Sequence, residues 1–314
     1  MNKNSSYMKY RHNLNNQNEL KEIPYTYDLS EAGIKNDYAR IVLAPLRIEP
    51  RVDKIKISKN YLKDEGIIEL SKILLFNKNI RNIYIDHFTL KSDYIGYFNK
   101  ILGLFDNNSV EVLDLSYNYL KEDCSEYLAN ILSHFKKLKA INLSINDFRR
   151  GISSFLVVLK KLYREGKTNL EKLNLSKCIL DDIAYYELGE LLRCKYCKLK
   201  YLYLNLNEIP SSVNFLKKVK KNKSLVGIYF NQNKINNNDS DDIMRIISNT
   251  KIECLYMYRN KISDFSQCLR IIYRTKLIKD SDKKGDLNKK PIRDDSILYN
   301  SETSNNICYN KNKN

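Results

Sequence analysis

The sequence predicts an α/β solenoid, with short parallel strands lining one face and helices covering the other. Three observations predict it: an eleven-residue apolar pattern that recurs along most of the chain, a spacing between copies that leaves room for a helix, and amphipathic segments in that spacing. The pattern is clearest in VEVLDLSYNYL, residues 110–120, where Val110, Leu113, Leu115 and Leu120 are apolar and Asn118 stands ninth.

Seven further copies begin at Val52, Ile80, Leu138, Leu170, Leu199, Leu225 and Ile252, so that successive starts lie 28, 30, 28, 32, 29, 26 and 27 residues apart. A strand and its turn use about eleven residues, and the remainder holds a helix of three or four turns. The fourth and sixth positions point inward and carry Leu or Ile, because side chains on a strand alternate. The ninth position is Asn60, Asn118, Asn146, Asn207, Asn233 or Asn260, whose amide can pair backbone groups of adjacent turns. Cys178 is expected to replace it as a weak donor, and Phe88 to leave the second turn irregular.

This spacing is that of leucine-rich repeats, and over residues 52 to about 278 the chain resembles the ribonuclease-inhibitor-like subclass. The resemblance implies a horseshoe of about eight repeats with a concave parallel sheet and helices on the convex side. Proteins of this kind act as inhibitors, as scaffold subunits including axonemal ones, as actin-end cappers or as activators of a small GTPase. Only the fold-determining positions match, so no functional residue carries over.

In chain order, residues 1–22 read as a disordered, Asn-rich arm and residues 23–51 as an N-terminal cap. A short strand near 40–43, carrying Ile41, Val42 and Leu43, is expected to pair onto the first repeat. Nothing there supplies the helical apolar run of a small adaptor such as an F-box. The solenoid follows over 52–278. Its outer helices are marked by Ile67, Leu70, Ile73 and Leu74 after Asp64, by Tyr127, Leu128, Ile131, Leu132 and Phe135, and by Ile243, Ile246 and Ile247 after an N-cap at Asp239 or Ser240. Phe265, Cys268, Leu269, Ile272 and Tyr273 would close the last repeat, and 279–314 reads as a disordered tail.

Seven cysteines without a paired framework, no apolar core for a signal peptide and no apolar run of membrane-spanning length point to an intracellular, most simply cytoplasmic, protein with no membrane insertion. The formal charge of +17 is discounted, because Lys, Asn, Ile and Tyr are abundant together, as A- and T-rich coding produces. Lys217, Lys218, Lys220, Lys221 and Lys223 accordingly read as a solvated helix back, with nucleic-acid binding kept as a lesser alternative.

Signs of catalysis are missing. Of the three histidines, His12 lies in the arm, His134 on a helix, and His87 beside Asp86 at the edge of the second repeat. Gly166, Lys167 and Thr168 lack the upstream glycine of a phosphate loop, since position 161 is Lys, and a strand follows where a helix is needed. Cys194 and Cys197 form a C-x-x-C pair without a second pair, so no metal or cofactor is expected. The reading is therefore a non-enzymatic, monomeric protein that binds a protein partner.

The expected contact surface is the concave face. Its fifth-position row includes Tyr84, Asp114, Tyr203, Tyr229 and Tyr256, flanked by Tyr201, Tyr258 and Arg259. Tyr and Arg dominate binding hot spots because they bury large areas while keeping a polar end. The inward positions take Leu or Ile while the outward row collects Tyr, a segregation that 24 tyrosines scattered by composition would not produce. The principal alternative is a regulator of a Ran-like small GTPase, which would speed hydrolysis without a nucleotide site of its own.

Overall fold

The third to fifth positions of the motif form the strands. The computed structural model describes residues 24–87, 95–96, 109–208, 214–247 and 250–263. The chain divides into two compact units after Ser263, and the described residues belong to the first. Strands β1 (Tyr25–Asp28), β2 (Val52–Lys56), β3 (Asn82–Tyr84), β4 (Val112–Asp114), β5 (Ala140–Asn142), β6 (Lys172–Asn174), β7 (Tyr201–Tyr203), β8 (Gly227–Tyr229) and β9 (Cys254–Tyr256) pair in sequence order. Every pairing is parallel and joins like motif positions: Leu113 pairs with Ile141, Ile141 with Leu173, and Leu173 with Leu202. A slip of one residue would invert every side chain, so burial of the fourth and sixth positions fixes this register. Leu113, Leu115, Leu173, Leu175, Leu202 and Leu204 are all fully buried.

Behind the sheet lie α1 (Ala39–Leu43), α2 (Asp64–Phe76), α3 (Ser125–His134), α4 (Ile152–Arg164), α5 (Asp182–Arg193) and α6 (Asn237–Ile247). Helix α4 shows why they pack there: Phe155, Leu156, Leu159 and Leu162 form one buried stripe, while Lys161 and Arg164 face water. In the sixth repeat, which advances only 26 residues, a 3₁₀ helix over Asn214–Lys221 replaces the expected α-helix. A 3₁₀ helix rises further per residue, so it spans a given distance with less chain.

The asparagine at the ninth position ties each turn to its neighbour. The Asn207 side chain donates to the Leu175 carbonyl at 2.6 Å, and its oxygen accepts the Cys178 N–H at 2.8 Å. Asn146 donates to Leu115 and Leu143 carbonyls and accepts from the N–H groups of Asn118 and Leu120. Asn233 and Asn260 repeat the arrangement toward the C-terminal side. Cys178 does act as the substitute donor, its Sγ lying 3.2 Å from the Leu143 carbonyl. The preceding eighth residue is left-handed in all eight motifs, from Lys59 (φ 55°) through Ile145 (57°) to Arg259 (55°). Such a conformation is costly for non-glycine residues. The backbone ladder offsets it in the first seven motifs, where the N–H of the eighth residue donates to the seventh-position carbonyl of the next repeat, as Lys177 does to Asn205 at 2.7 Å.

The N-terminal strand lies elsewhere than expected. Residues 40–43 belong to α1, with Ala39 and Leu43 buried on one side and Ile41 71% exposed on the other, a helical spacing that overrides the β-branched residues. The sheet edge is instead occupied by Tyr25–Asp28, the strand of a degenerate extra repeat. Glu31 there has the left-handed φ of 59° and donates to Ser58, as an eighth-position residue should. Asn60 reaches across to the Leu29 carbonyl and the Ile34 N–H. Arg47 pairs with the buried Glu69, and Asn77 donates to the Leu46 and Glu49 carbonyls, fixing this segment to α2.

Helix α6 also begins earlier than expected. Asn236 is its cap: Asn236 Oδ1 accepts the Asp239 N–H and Asp239 Oδ2 accepts the Asn236 N–H, both at 3.0 Å, so Asp239 closes a capping box. The arm 1–22, the Phe88 turn, the closing helix around Phe265 to Tyr273 and the tail 279–314 lie outside the described residues.

Asn207→Ala is expected to lower unfolding free energy by about 1–3 kcal/mol, because it leaves a buried carbonyl and a buried N–H unpaired. Urea denaturation against an exposed substitution such as Lys195→Ala checks this, and equal midpoints would contradict it.

Candidate partner-binding surface

Side chains at the fifth position stand on the sheet face opposite the helices, and parallel register lines them up in one row. At its C-terminal end Tyr203 and Tyr229 stack with ring centroids 4.3 Å apart, and Tyr229 and Tyr256 stack at 4.7 Å with planes only 5° apart. Tyr258 lies tilted against Tyr256 at 6.4 Å. Rings stacked between strands turn their faces to each other and direct their edges away from the sheet. Each stacked pair adds about 0.5–1.5 kcal/mol beyond its buried area. Burial, and then Tyr203, raises the Tyr229 phenol well above its ordinary range.

Exposure grades along the row. Tyr203 is only 7% exposed, Tyr256 37% and Tyr258 62%, while Tyr201, Tyr229 and Tyr84 are half-buried and Arg259 is exposed. Tyr203 is thus the foundation of the ladder and not, as the sequence suggested, a contact equal to the others. Tyr201 sits one row away, and Gly227 makes room for it: a Cβ on Gly227 would stand 2.9 Å from the Tyr201 ring. The Lys172 amine lies 5.5 Å from the centre of the same ring. Neither Gly227 nor Lys172 was expected at the site, although the one glycine in the third-position column was a usable signal.

The opposite end is acidic. Asp114 is buried; its carboxylate accepts from Ser116 Oγ at 2.7 Å and from Asn142 Nδ2 at 3.0 Å, so it supports the face more than it projects from it. Asp86 accepts from the Ser58 hydroxyl and lies 3.0 Å from His87 Nδ1, and the His87 ring stacks on Tyr117 at 3.8 Å. Tyr84 is pushed up by burial and by Asp114. Between the two ends, Asn142 and Asn174 hold the Ser144 and Ser176 N–H groups. The tyrosine end and the acidic end therefore belong to one continuous face and do not form a single cluster.

Other sequence candidates find structural roles. Thr168 is fully buried, and Gly166 occupies a turn at φ 67°. Cys194 and Cys197 are buried free thiols. Among the described residues no group of His, Cys, Asp and Glu is placed to hold a metal ion, and no helix is long and apolar enough to cross a membrane.

An in-register parallel sheet, a left-handed eighth residue and a ninth-position asparagine ladder together define a leucine-rich repeat solenoid. No family model matches the chain. Over 194 residues it is 27% identical to the Rho GTPase-activating protein gacW of Dictyostelium discoideum, a match covering 59% of this chain and 17% of that protein. Among solved structures it is similar to the TLR13–ssRNA13 complex, at a TM-score of 0.47 and 17% identity over 80% of this chain and 35% of that one. It is also similar to an internalin, InlF, of Listeria monocytogenes, at a TM-score of 0.38 and 17% identity over 73% and 74% of the two chains.

Burial, and then the neighbouring Asp86 carboxylate, raise the Asp114 carboxyl from 3.8 to about 6. A raised folded value means that its stabilising contribution is full below about pH 4 and is lost as pH rises through 6. Asp114→Asn should therefore gain on the wild type between pH 4 and 7 by up to roughly 3 kcal/mol. Urea midpoints at both pH values test this, and a pH-independent difference would contradict it.

Proposed function

We propose that the chain is a non-catalytic scaffold that binds a partner protein on the sheet face, with the tyrosine end as the principal contact. The observation that carries this reading is the ladder Tyr203–Tyr229–Tyr256, which rises from a buried base to exposed Tyr256 and Tyr258 beside Arg259. Rotor-poor side chains already ordered against each other lose little entropy on binding. Their outward ring edges carry the positive side of the aromatic quadrupole and, with Arg259, suit an acceptor-rich segment of the partner. Among helix-containing repeats, the ribonuclease-inhibitor-like type fits the lengths of α2, α4 and α5. The free buried thiols suit a reducing, intracellular compartment.

A second reading, regulation of a small GTPase, is favoured by the match to a Rho GTPase-activating protein and extends the Ran-like alternative. The matched region is a small part of that protein, so the module and the activity are separate matters. Faster GTP hydrolysis across a panel of Ran- and Rho-type GTPases with the purified chain would support it, and unchanged rates would remove it.

For the principal reading, affinity capture from native cells should compare wild type with a Tyr256→Ala/Tyr258→Ala/Arg259→Ala variant shown by circular dichroism to be folded. Truncating hot-spot anchors costs about 2 kcal/mol each, so the partner is expected to disappear from the variant's captured set. An unchanged set would contradict the tyrosine end as the contact.

A further inference from the structure

The loops that lead into the strands form the edge opposite the left-handed turns, and they are conspicuously basic. Between the third and seventh repeats they read FKKLK (135–139), REGKTNLE (164–171), RCKYCKLK (193–200) and KKNK (220–223), with Glu165 and Glu171 as the only acids. The loops are stacked directly on one another. Asn169 donates to the Lys136 carbonyl at 3.3 Å, Lys198 donates to Asn169 at 2.8 Å, and Asn222 donates to the Leu192 carbonyl at 2.8 Å. Lys223 lies past the 3₁₀ helix on this edge, and Lys220 and Lys221 are exposed in the last turn of that helix, next to it; Lys218 turns inward, to Glu190 and the Tyr186 ring.

Ion pairs neutralise only part of the edge. Lys139, Lys167 and Lys200 reach Glu111, Glu165 and Glu171. Lys137, Lys195, Lys220, Lys221 and Lys223 are exposed and make no ion pair among the described residues. Coding bias alone does not account for this, because the opposite edge is mixed: Lys63, Lys121, Arg149, Arg150, Lys177 and Lys261 stand there among the acids of EDCSE (122–126), LDDI (180–183) and NNNDSDD (236–242). Complementing helix dipoles does not account for it either. That effect is confined to the last turn; it reaches Lys220 and Lys221, but Lys195, Lys198, Lys200 and Lys223 lie beyond the helix ends.

We propose that this edge is a peripheral docking surface for an anionic lipid bilayer. Three features select that partner. Lysine is depleted at protein–protein contacts, and arginine is preferred where carboxylates are gripped in pairs, yet this edge is almost all lysine. Single-stranded nucleic acid is held by a series of aromatic platforms, whereas Tyr196 is the one exposed aromatic in these four loops, with the Lys195 amine 4.7 Å over its ring. A row of point charges with one amphipathic ring suits a headgroup layer, where each lysine near the surface strengthens binding about fivefold. The surface is separate from the tyrosine end and does not depend on that reading.

The test is sedimentation of the full chain with mixed phosphatidylserine–phosphatidylcholine vesicles and with phosphatidylcholine alone. Binding is expected only to the mixed vesicles, weakening as salt is raised. A Lys195→Gln/Lys198→Gln/Lys220→Gln/Lys221→Gln variant should bind about fivefold more weakly for each lysine removed. Lys63→Gln/Lys121→Gln/Lys177→Gln/Lys261→Gln on the other edge should bind as wild type, and matched urea midpoints show that both variants fold. No binding to mixed vesicles at low salt, or equal losses in the two variants, would overturn the proposal. So would an RNA or DNA oligonucleotide that displaces the vesicles and loses its own binding in the first variant only.

Discussion

The hydrogen bonds of the ninth-position asparagines are the constraint on which the remaining structure depends. Each closes a turn that would otherwise bury unpaired backbone groups, and each reaches back to the preceding turn. Backbone polar groups in such a place must be paired or the fold pays several-fold for each loss. Because the amide spans two repeats, it transmits register: once the fourth position of one strand is set against the fourth of the next, every other position follows. The left-handed eighth residues are tolerated for the same reason, held by a ladder that continues past the strands.

Register creates surfaces as well as a core. Identical motif positions become neighbours on adjacent strands, so a residue type repeated at one position becomes a continuous column. Tyrosine at the fifth position of three successive repeats becomes a stack; lysine in the loops of four becomes an edge. Both are products of one-dimensional repetition. They differ in energetics. The tyrosine stack is ordered and partly buried before any partner arrives, whereas the lysines keep their solvation and act through field alone.

The repeat frame was legible because it rests on period and on apolar identity, the two properties that a strand alternating against a core cannot relax. Legibility failed where tertiary context decides. Tyr27 and Ala32 stand where the template asks for leucine and asparagine, so the extra repeat at the N-terminus was hidden, although Asn60 completes its turn from outside. Ile41, Val42 and Leu43 favour a strand by residue type, yet with the sheet edge taken they pack as a helix. On the sheet face, alternation placed Tyr203 and Asp114 correctly, but it could not show that Tyr229 and Asn142 would cover them. The run Lys217–Lys223 was legible as basic, but its continuation into an edge was not, because the four loops are far apart in sequence and meet only through stacking.

The proposed contact is the tyrosine end of the sheet face. It is tested most directly by placing a photo-crosslinking residue at Tyr256, and separately at the exposed Tyr186 on α5, and irradiating in native cells. A discrete protein adduct is expected from position 256 and none of that mass from position 186. An adduct from position 186 with none from 256 would contradict it and move the binding surface to the helices.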